Sequence, residues 1–557
     1  MSAIAGVLGA ADHNIVLHML EKMRHRGEEK TVVSRGQVAI GHIELPTDAS
    51  ARSIQDEGAL FLDGRAFADG TSLLTPSALL RRLATQGPEA ALAGVTGGFT
   101  LVAALRGGKG TSVPPHCATL PGNVVIIARD VLGKKPLYLG YDGDKVLFSS
   151  EMKALVGIAK DIVEFPCGTV STDGRTFHKF ASLEFPPPEV TDVDEAVEII
   201  RRELRAAVAR QLPSSVSSSS SLSSVSSLPS TSSASPASSG LPSSSESSES
   251  SACSGTCGVF LSGGLDSSII ACLARELTSD LKFFSVGVEG SEDVARATEL
   301  AEYLGVEHHV RTFSLADMEE VLPKAIYHME SYDAPLIRSC VPNYMVAEMA
   351  SRHGVRVVLI GEGGDELFAG YSHLRAIEPG LLHHDLVDLL KSLHNTGLQR
   401  CDRMPMAWGV EARAPFLDER FVRAAMTIHP SLKIAGEGET KVEKWILRKA
   451  FEKELPPSIA WRKKQMFSQG AGSMHMLERA LASKVSDEDV RRECEAIARW
   501  GLRNKEELHY FLVFRRSFQD TTTDPDAISL PPVGRTKVLY QDRATPDPVF
   551  TQMDQRL

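Results

Sequence analysis

Residues 258–277 constrain the fold more tightly than any other stretch. The short apolar run Gly258-Val259-Phe260-Leu261 leads into Ser262-Gly263-Gly264-Leu265-Asp266-Ser267-Ser268, and Ile269 to Leu277 then reads as a helix. The two glycines let the backbone approach a ligand closely. The helix N-terminus supplies free N–H groups and a positive dipole end. The hydroxyls of Ser262, Ser267 and Ser268 add donors. Strand, glycine-rich turn and helix in this order make a phosphate cradle at the carboxyl end of a parallel strand, where open α/β sheets bind ligands. The plain alternative is a glycine-rich turn without a ligand. No Gly-Lys-Ser/Thr occurs here, so this is not a Walker A loop. Asp266 among phosphates is electrostatically wrong unless a cation intervenes. Mg²⁺ is therefore inferred, held by Asp266 and bridging phosphate oxygens.

The same alternation continues. Lys282 to Val288 and Val355 to Ile360 read as strands and Val294 to Leu304 as a helix, which predicts a parallel sheet with helices on both faces. Beyond Asp385 the pattern is mostly helical. Residues 1–190 read differently, as strands and short helices with many turn signals. Val124 to Ala128 and Lys145 to Phe148 suit strands, and Gly97-Gly98-Phe99 reads as a turn into the strand Thr100 to Ala103. Val193, Val197, Ile200, Leu204 and Val208 recur at helical spacing, with Thr191 and Asp194 as a capping signal.

A chain of 557 residues exceeds the roughly 250–300 at which single cores stop growing, so two domains are expected. From Pro213 to Ser254 the sequence is largely serine. It buries too little apolar surface to offset chain entropy and reads as disordered. A phosphorylated regulatory tract, at Ser235-Pro236 or the serines before Glu246 and Glu249, stays open. The net charge of −11 argues against a nucleic-acid partner. The eight cysteines form no Cys-x-x-Cys pair, no apolar run approaches the length of a membrane helix, and no signal pattern opens the chain. The expected location is the cytosol, with no membrane partner.

Two further segments carry chemistry. Gly361-Glu362-Gly363-Gly364-Asp365-Glu366 follows the strand Val355 to Ile360 and carries three carboxylates. Asp365 is assigned to completing the Mg²⁺ site and Glu362 to acting as a base towards an incoming amine; a solvated acidic turn is the alternative. In Trp461-Arg462-Lys463-Lys464-Gln465-Met466-Phe467-Ser468-Gln469-Gly470, lysines can neutralise charge on a departing pyrophosphate. From this segment alone, a helix-terminal charge cluster is the favoured reading.

In this order the three segments resemble the synthetase domain of the glutamine-dependent asparagine synthetase family. Tyr327-His328-Met329-Glu330-Ser331-Tyr332-Asp333 and Trp408-Gly409-Val410-Glu411-Ala412-Arg413-Ala414-Pro415-Phe416-Leu417-Asp418 extend the match. Arg129-Asp130, Leu132-Gly133, Pro136-Leu137-Tyr138 and Ser150-Glu151-Met152-Lys153-Ala154-Leu155 resemble the family's N-terminal domain. The resemblance implies two domains. Residues 1–190 would form an α+β, Ntn-hydrolase-like glutamine amidotransferase domain of sandwiched antiparallel sheets. Residues 191–545 would form an α/β ATP-pyrophosphatase domain, interrupted by the serine tract at 213–254 and followed by a tail at 546–557. It also implies a reaction. Aspartate's side-chain carboxylate attacks the α-phosphate of ATP to give β-aspartyl-AMP and pyrophosphate, and ammonia displaces AMP. Carried over residue by residue, Leu261, Ser262, Gly263, Gly264, Asp266, Ser267, Val286 and Gly361 would contact ATP. Asp266 and Asp365 would hold Mg²⁺, Lys464 would steady the phosphates and Glu362 would assist ammonia. Whether the chain pairs as a homodimer stays open.

The chain departs from the family pattern at its N-terminus. Where the family begins Met-Cys-Gly-Ile and uses the cysteine as nucleophile, this chain begins Met1-Ser2-Ala3-Ile4. His42-Ile43-Glu44-Leu45 lacks the arginine that binds glutamine's carboxylate. Asp63-Gly64-Arg65 replaces Asn-Gly-Glu, with an anion where an oxyanion forms and a cation where an ammonium binds. The expectation is a domain that keeps its fold but does not hydrolyse glutamine, leaving ammonia as the direct donor. Near the acceptor, Arg338 remains to pair with an α-carboxylate, but Pro335, Leu336 and Val341 make the stretch more apolar than the family's threonines would. An amide or lactam synthetase for another carboxylate, or a catalytically silent binding partner, are the alternatives.

Overall fold

The computed structural model describes residues 2–45, 52–55, 58–106, 119–120, 123–213, 256–463 and 470–518. Most of the serine tract and all of the tail lie outside them, as do Lys464 and Gln469.

In the first part of the chain, two antiparallel sheets face each other. One runs Lys160–Glu164, Tyr138–Asp142, Lys145–Ser149, Ser2–Leu8, Val38–Glu44, Glu29–Arg35. The other runs His178–Lys179, Thr169–Ser171, Asn123–Arg129, Val95–Arg106, Gly58–Ala68, Arg52–Gln55. Strand residues alternate between faces, so each sheet serves two cores. Ile4, Leu8, Val38 and Ile40 meet Phe61, Val102, Val125 and Ile127 between the sheets. Ala3, Ala5 and Val7 face outward onto Val16, Met19 and Leu20 of the helix His13–Lys22. On the far side, Leu79, Leu80 and Leu83 of the helix Pro76–Gln86 cover Leu60, Leu62, Leu101 and Ala103.

The second part is built on a parallel sheet in the order Glu307–Thr312, Leu281–Gly287, Cys257–Phe260, Val357–Leu359, Glu411–Arg413. Val259 and Phe283 face one core with the helices Leu265–Leu277 and Glu292–Leu304. Phe284 and Val286 face the other with Leu315–Met329 and Ala334–Arg352. Helices thus lie on both faces, and the carboxyl ends of the strands share one edge. The second of these cores also takes in Ala3, Ala5 and Val7, so it runs across both parts of the chain.

Several local expectations are corrected. Gly97 and Gly98 do not form a turn but lie within the strand Val95–Arg106. Gly97 has φ +119, and a Cβ there would stand 2.2 Å from the Arg65 carbonyl oxygen of the neighbouring strand. The helix after the glycine-rich loop begins at Leu265, so Asp266 and Ser267 belong to its first turn. The helix Val193–Gln211 is capped by Asp192, whose side chain accepts from the Glu195 amide, rather than by Thr191. The region after Asp385 is mostly helical, as expected, and within it Glu411–Arg413 supplies the fifth parallel strand.

Candidate active site

The glycine-rich loop is a small hydrogen-bonded knot at the carboxyl end of Cys257–Phe260. The Ser262 and Ser267 hydroxyls lie 2.9 Å apart, and Ser267 Oγ accepts from the Ser262 amide at 3.2 Å. Ser285 Oγ donates to the Leu261 carbonyl at 2.5 Å. Val286 is buried in the next strand. Gly263 has φ +68, and a Cβ there would lie 2.3 Å from the Asp293 carbonyl oxygen, so only glycine lets the loop lie this close to the next helix.

The second glycine-rich loop presses against the first. A Cβ on Gly361 would stand 2.7 Å from the Ser267 amide nitrogen, and one on Gly364 would stand 2.6 Å from Asp266 Oδ1. Both loops therefore put their acids in one place. Asp266 Oδ2 and Asp365 Oδ1 each lie 2.5 Å from Lys444 Nζ, whose side chain is 1% exposed. Asp266 Oδ1 is buried and has no hydrogen-bond partner. Among the described residues no group of three or more His, Cys, Asp or Glu side chains is arranged to hold a metal ion. Two carboxylates suit Mg²⁺, which is usually bound by one or two carboxylates together with substrate phosphates and water.

Glu362 is gripped by Arg400, whose Nη2 lies 3.0 and 2.8 Å from its two carboxylate oxygens. The helix Gly397–Met406 makes room by starting with glycine, where a Cβ would fall 2.1 Å from Glu362 Oε1. Burial, helped by Glu362 and Asp365, pushes the neighbouring Glu366 carboxyl up to about 7. Further cations surround the loops. Arg462 Nη1 donates to the Gly263 carbonyl at 3.2 Å and pairs with Asp293 at 2.7 Å. Arg448 donates to the carbonyls of Glu443 and Ala460 at 2.9 and 2.7 Å.

Arg338 is engaged within the protein. Its Nε donates to Glu506 Oε1 at 2.9 Å, its Nη2 to Glu506 Oε2, and Tyr510 donates to the same carboxylate at 2.7 Å. This carboxylate comes from the helix Lys505–Phe518. The sequence reading missed Lys444, Arg400 and Glu506. Lys444 is 178 residues from Asp266 and sits in no motif, so no local signal could have marked it.

A family model for asparagine synthase matches residues 252–381 and 378–506, and one for a glutamine amidotransferase domain matches residues 120–157. Asparagine synthetase B [glutamine-hydrolyzing] of Escherichia coli (strain K12) is 35% identical over 389 residues, covering 66% of this chain and 62% of that protein. The chain belongs to the asparagine synthetase family. A second relative, asparagine synthetase [glutamine-hydrolyzing] of Asparagus officinalis, is 32% identical over 415 residues, 71% of this chain and 64% of its own. The chain thus spans under two thirds of the length of these relatives. A solved allosteric regulatory enzyme of purine biosynthesis aligns at 14% identity over 55% of this chain and 64% of that one, with a TM-score of 0.25, too low to carry an argument.

In this family member the N-terminal residues are packed, not open. Ser2 is wholly buried. Its hydroxyl donates to the Leu62 carbonyl at 3.1 Å and its amide donates to Asp63 Oδ1 at 3.2 Å. Arg26 closes the space with contacts to the Ser2 carbonyl at 3.1 Å, Asp63 at 3.3 Å, Glu151 at 3.0 Å and Asp402 at 2.7 Å. Burial raises the Asp63 carboxyl, against the pull of Arg26 and Lys135. Burial also pushes His42 down to about 3, so its imidazole is neutral. Arg65 Nη1 donates to the Arg210 carbonyl at 2.9 Å, satisfying a free carbonyl in the last turn of the helix Val193–Gln211.

Proposed function

We propose that the chain makes an amide from a carboxylate, ATP and ammonia through an acyl-adenylate, with aspartate as acceptor and asparagine as product. One observation carries this reading: in a chain of this family, two glycine-rich loops bring Asp266 and Asp365 to one point beside a helix N-terminus. Amides of the loop Leu261 to Ser267, its hydroxyls, and the close backbone at Gly361 would bind the phosphates, with Val286 behind them. Asp266 and Asp365 would hold Mg²⁺, which when bound neutralises charge on the leaving pyrophosphate. Lys464 would steady the same charge. The acceptor carboxylate attacks the α-phosphorus and pyrophosphate leaves. Ammonia attacks the acyl carbon, AMP leaves, and Glu362, oriented by Arg400, takes the proton.

Ammonia is the direct donor in this reading. A serine hydroxyl already donating to the Leu62 carbonyl and to Asp63, packed under Arg26, is a weak nucleophile whose nearest acid sits where an oxyanion would have to form. A second reading is favoured by the Arg338–Glu506 pair. An arginine already matched by a carboxylate of its own chain is a poor receptor for aspartate's α-carboxylate, which would favour a different acceptor.

The test is pyrophosphate release by the purified protein with ATP, Mg²⁺ and ammonium, with and without aspartate. Aspartate-dependent release with asparagine formed, lost in Asp266→Asn, is the expected result. Release that ignores aspartate selects the second reading, and no release with any carboxylate refutes both. Glutamine-dependent asparagine synthesis abolished by Ser2→Ala would overturn the choice of ammonia.

A further inference from the structure

Lys444 has no place in the reaction as written above, yet it fills the space between the two acids assigned to the metal. Its Nζ is 2.5 Å from each of Asp266 and Asp365. It is held there by its surroundings. Lys444 has φ +56 and lies just ahead of the helix Trp445–Phe451. Gly370 backs onto the pair so closely that a Cβ would meet Asp365 Oδ1 at 1.9 Å and Lys444 Cε at 2.2 Å. The ammonium therefore has little room to step aside.

A free divalent cation approaching this site meets a buried positive charge already seated between its ligands. Displacing the lysine would strand an ammonium in the interior, which is costly without a replacement anion. A metal arriving on a nucleotide is different, because the phosphates bring anionic oxygens that take over the ammonium. We propose that Lys444 is a positioning residue that bars free divalent cations from the Asp266–Asp365 pair and makes metal entry depend on nucleotide. This rests on the reading of those two acids as the metal ligands. Arg448, tied by its Nε and Nη1 to two carbonyls, adds positive potential at both carboxylates.

The experiment is a titration of the full chain with Mn²⁺, followed by electron paramagnetic resonance, with and without α,β-methylene ATP. Wild-type protein is expected to bind Mn²⁺ only with the nucleotide. Lys444→Met is expected to bind Mn²⁺ alone at least ~tenfold more tightly than wild type, the least that one close charge pair is worth. Lys444→Arg should restore the exclusion, a rescue that a merely space-filling role would not predict. Should Lys444→Met not fold, Lys444→Gln serves, and the wild-type titration is itself a test. Nucleotide-independent Mn²⁺ binding to wild type, equal to that of the variant, overturns the inference while leaving the metal ligands intact. No Mn²⁺ binding by any variant under any condition overturns the underlying assignment of Asp266 and Asp365 as well.

Discussion

Lys433 ends the short helix Pro430–Lys433 with its side chain wholly buried. Its Nζ lies 3.8 Å from Met426 Sδ and 5.8 Å from the Phe368 ring. Burial alone pushes its ammonium down to about 7. The unfolded chain, with a lysine near its ordinary value, binds the extra proton between about 7 and about 10.4. Stability from this group therefore rises with pH across that window and is lost as pH falls towards 7. Lys433→Met is expected to raise the melting temperature at pH 7, with the gain shrinking as pH approaches 10; a pH-independent gain would refute the account. The residue scale also shows what a sequence hides. Asp266, Glu362 and Asp365 were readable because each sits in a glycine-rich loop following a strand. Their cationic partners were not, because ion pairing joins residues with no shared spacing: Arg400 is 38 residues from Glu362. Arg338 was read as a partner for a substrate's α-carboxylate; the carboxylate it holds in the structure, Glu506, lies 168 residues away.

At the scale of elements, the strands and helices around the first loop followed from apolar runs and helical spacing, and their boundaries moved by only a few residues. Glu411–Arg413 did not, for a physical reason. Three residues cannot show an alternation, and its two charged ends look like surface. They are instead buried and satisfy each other, with Arg413 Nη2 2.8 Å from Glu411 Oε2. The elements also fix how the two loops meet. Gly361 lies so close to Ser267 that adding one methyl group demands movement of backbone rather than of a flexible side chain. Gly361→Ala is thus expected to weaken ATP binding, measured by calorimetric titration, while the far-ultraviolet circular dichroism stays that of the wild type. Unchanged ATP affinity would mean the two loops do not form one cradle.

At the scale of the whole molecule, Asp63 and Arg65 act as joints. Arg65 reaches the end of the helix Val193–Gln211, and Asp63 joins a buried network around Arg26. Through Arg26 and Lys135 that network reaches Asp402, at 2.7 and 3.1 Å, on the helix Gly397–Met406 that also carries Arg400. Lys153 and Arg403 extend it, pairing with Glu330 at 3.0 and 2.8 Å. Replacing such charges together by apolar groups can be neutral, but removing one partner strands the others and costs roughly 3–5 kcal/mol. Asp402→Asn keeps the shape and removes one charge facing two buried cations. It is expected to lower the melting temperature markedly and to speed proteolytic cleavage between the antiparallel and parallel sheets. Lys324→Ala is the control: its pair with Glu320 is largely exposed, and such pairs contribute about 0–1 kcal/mol. Equal melting temperatures for the two variants would mean that apolar packing across the shared core, and not this network, holds the two parts together.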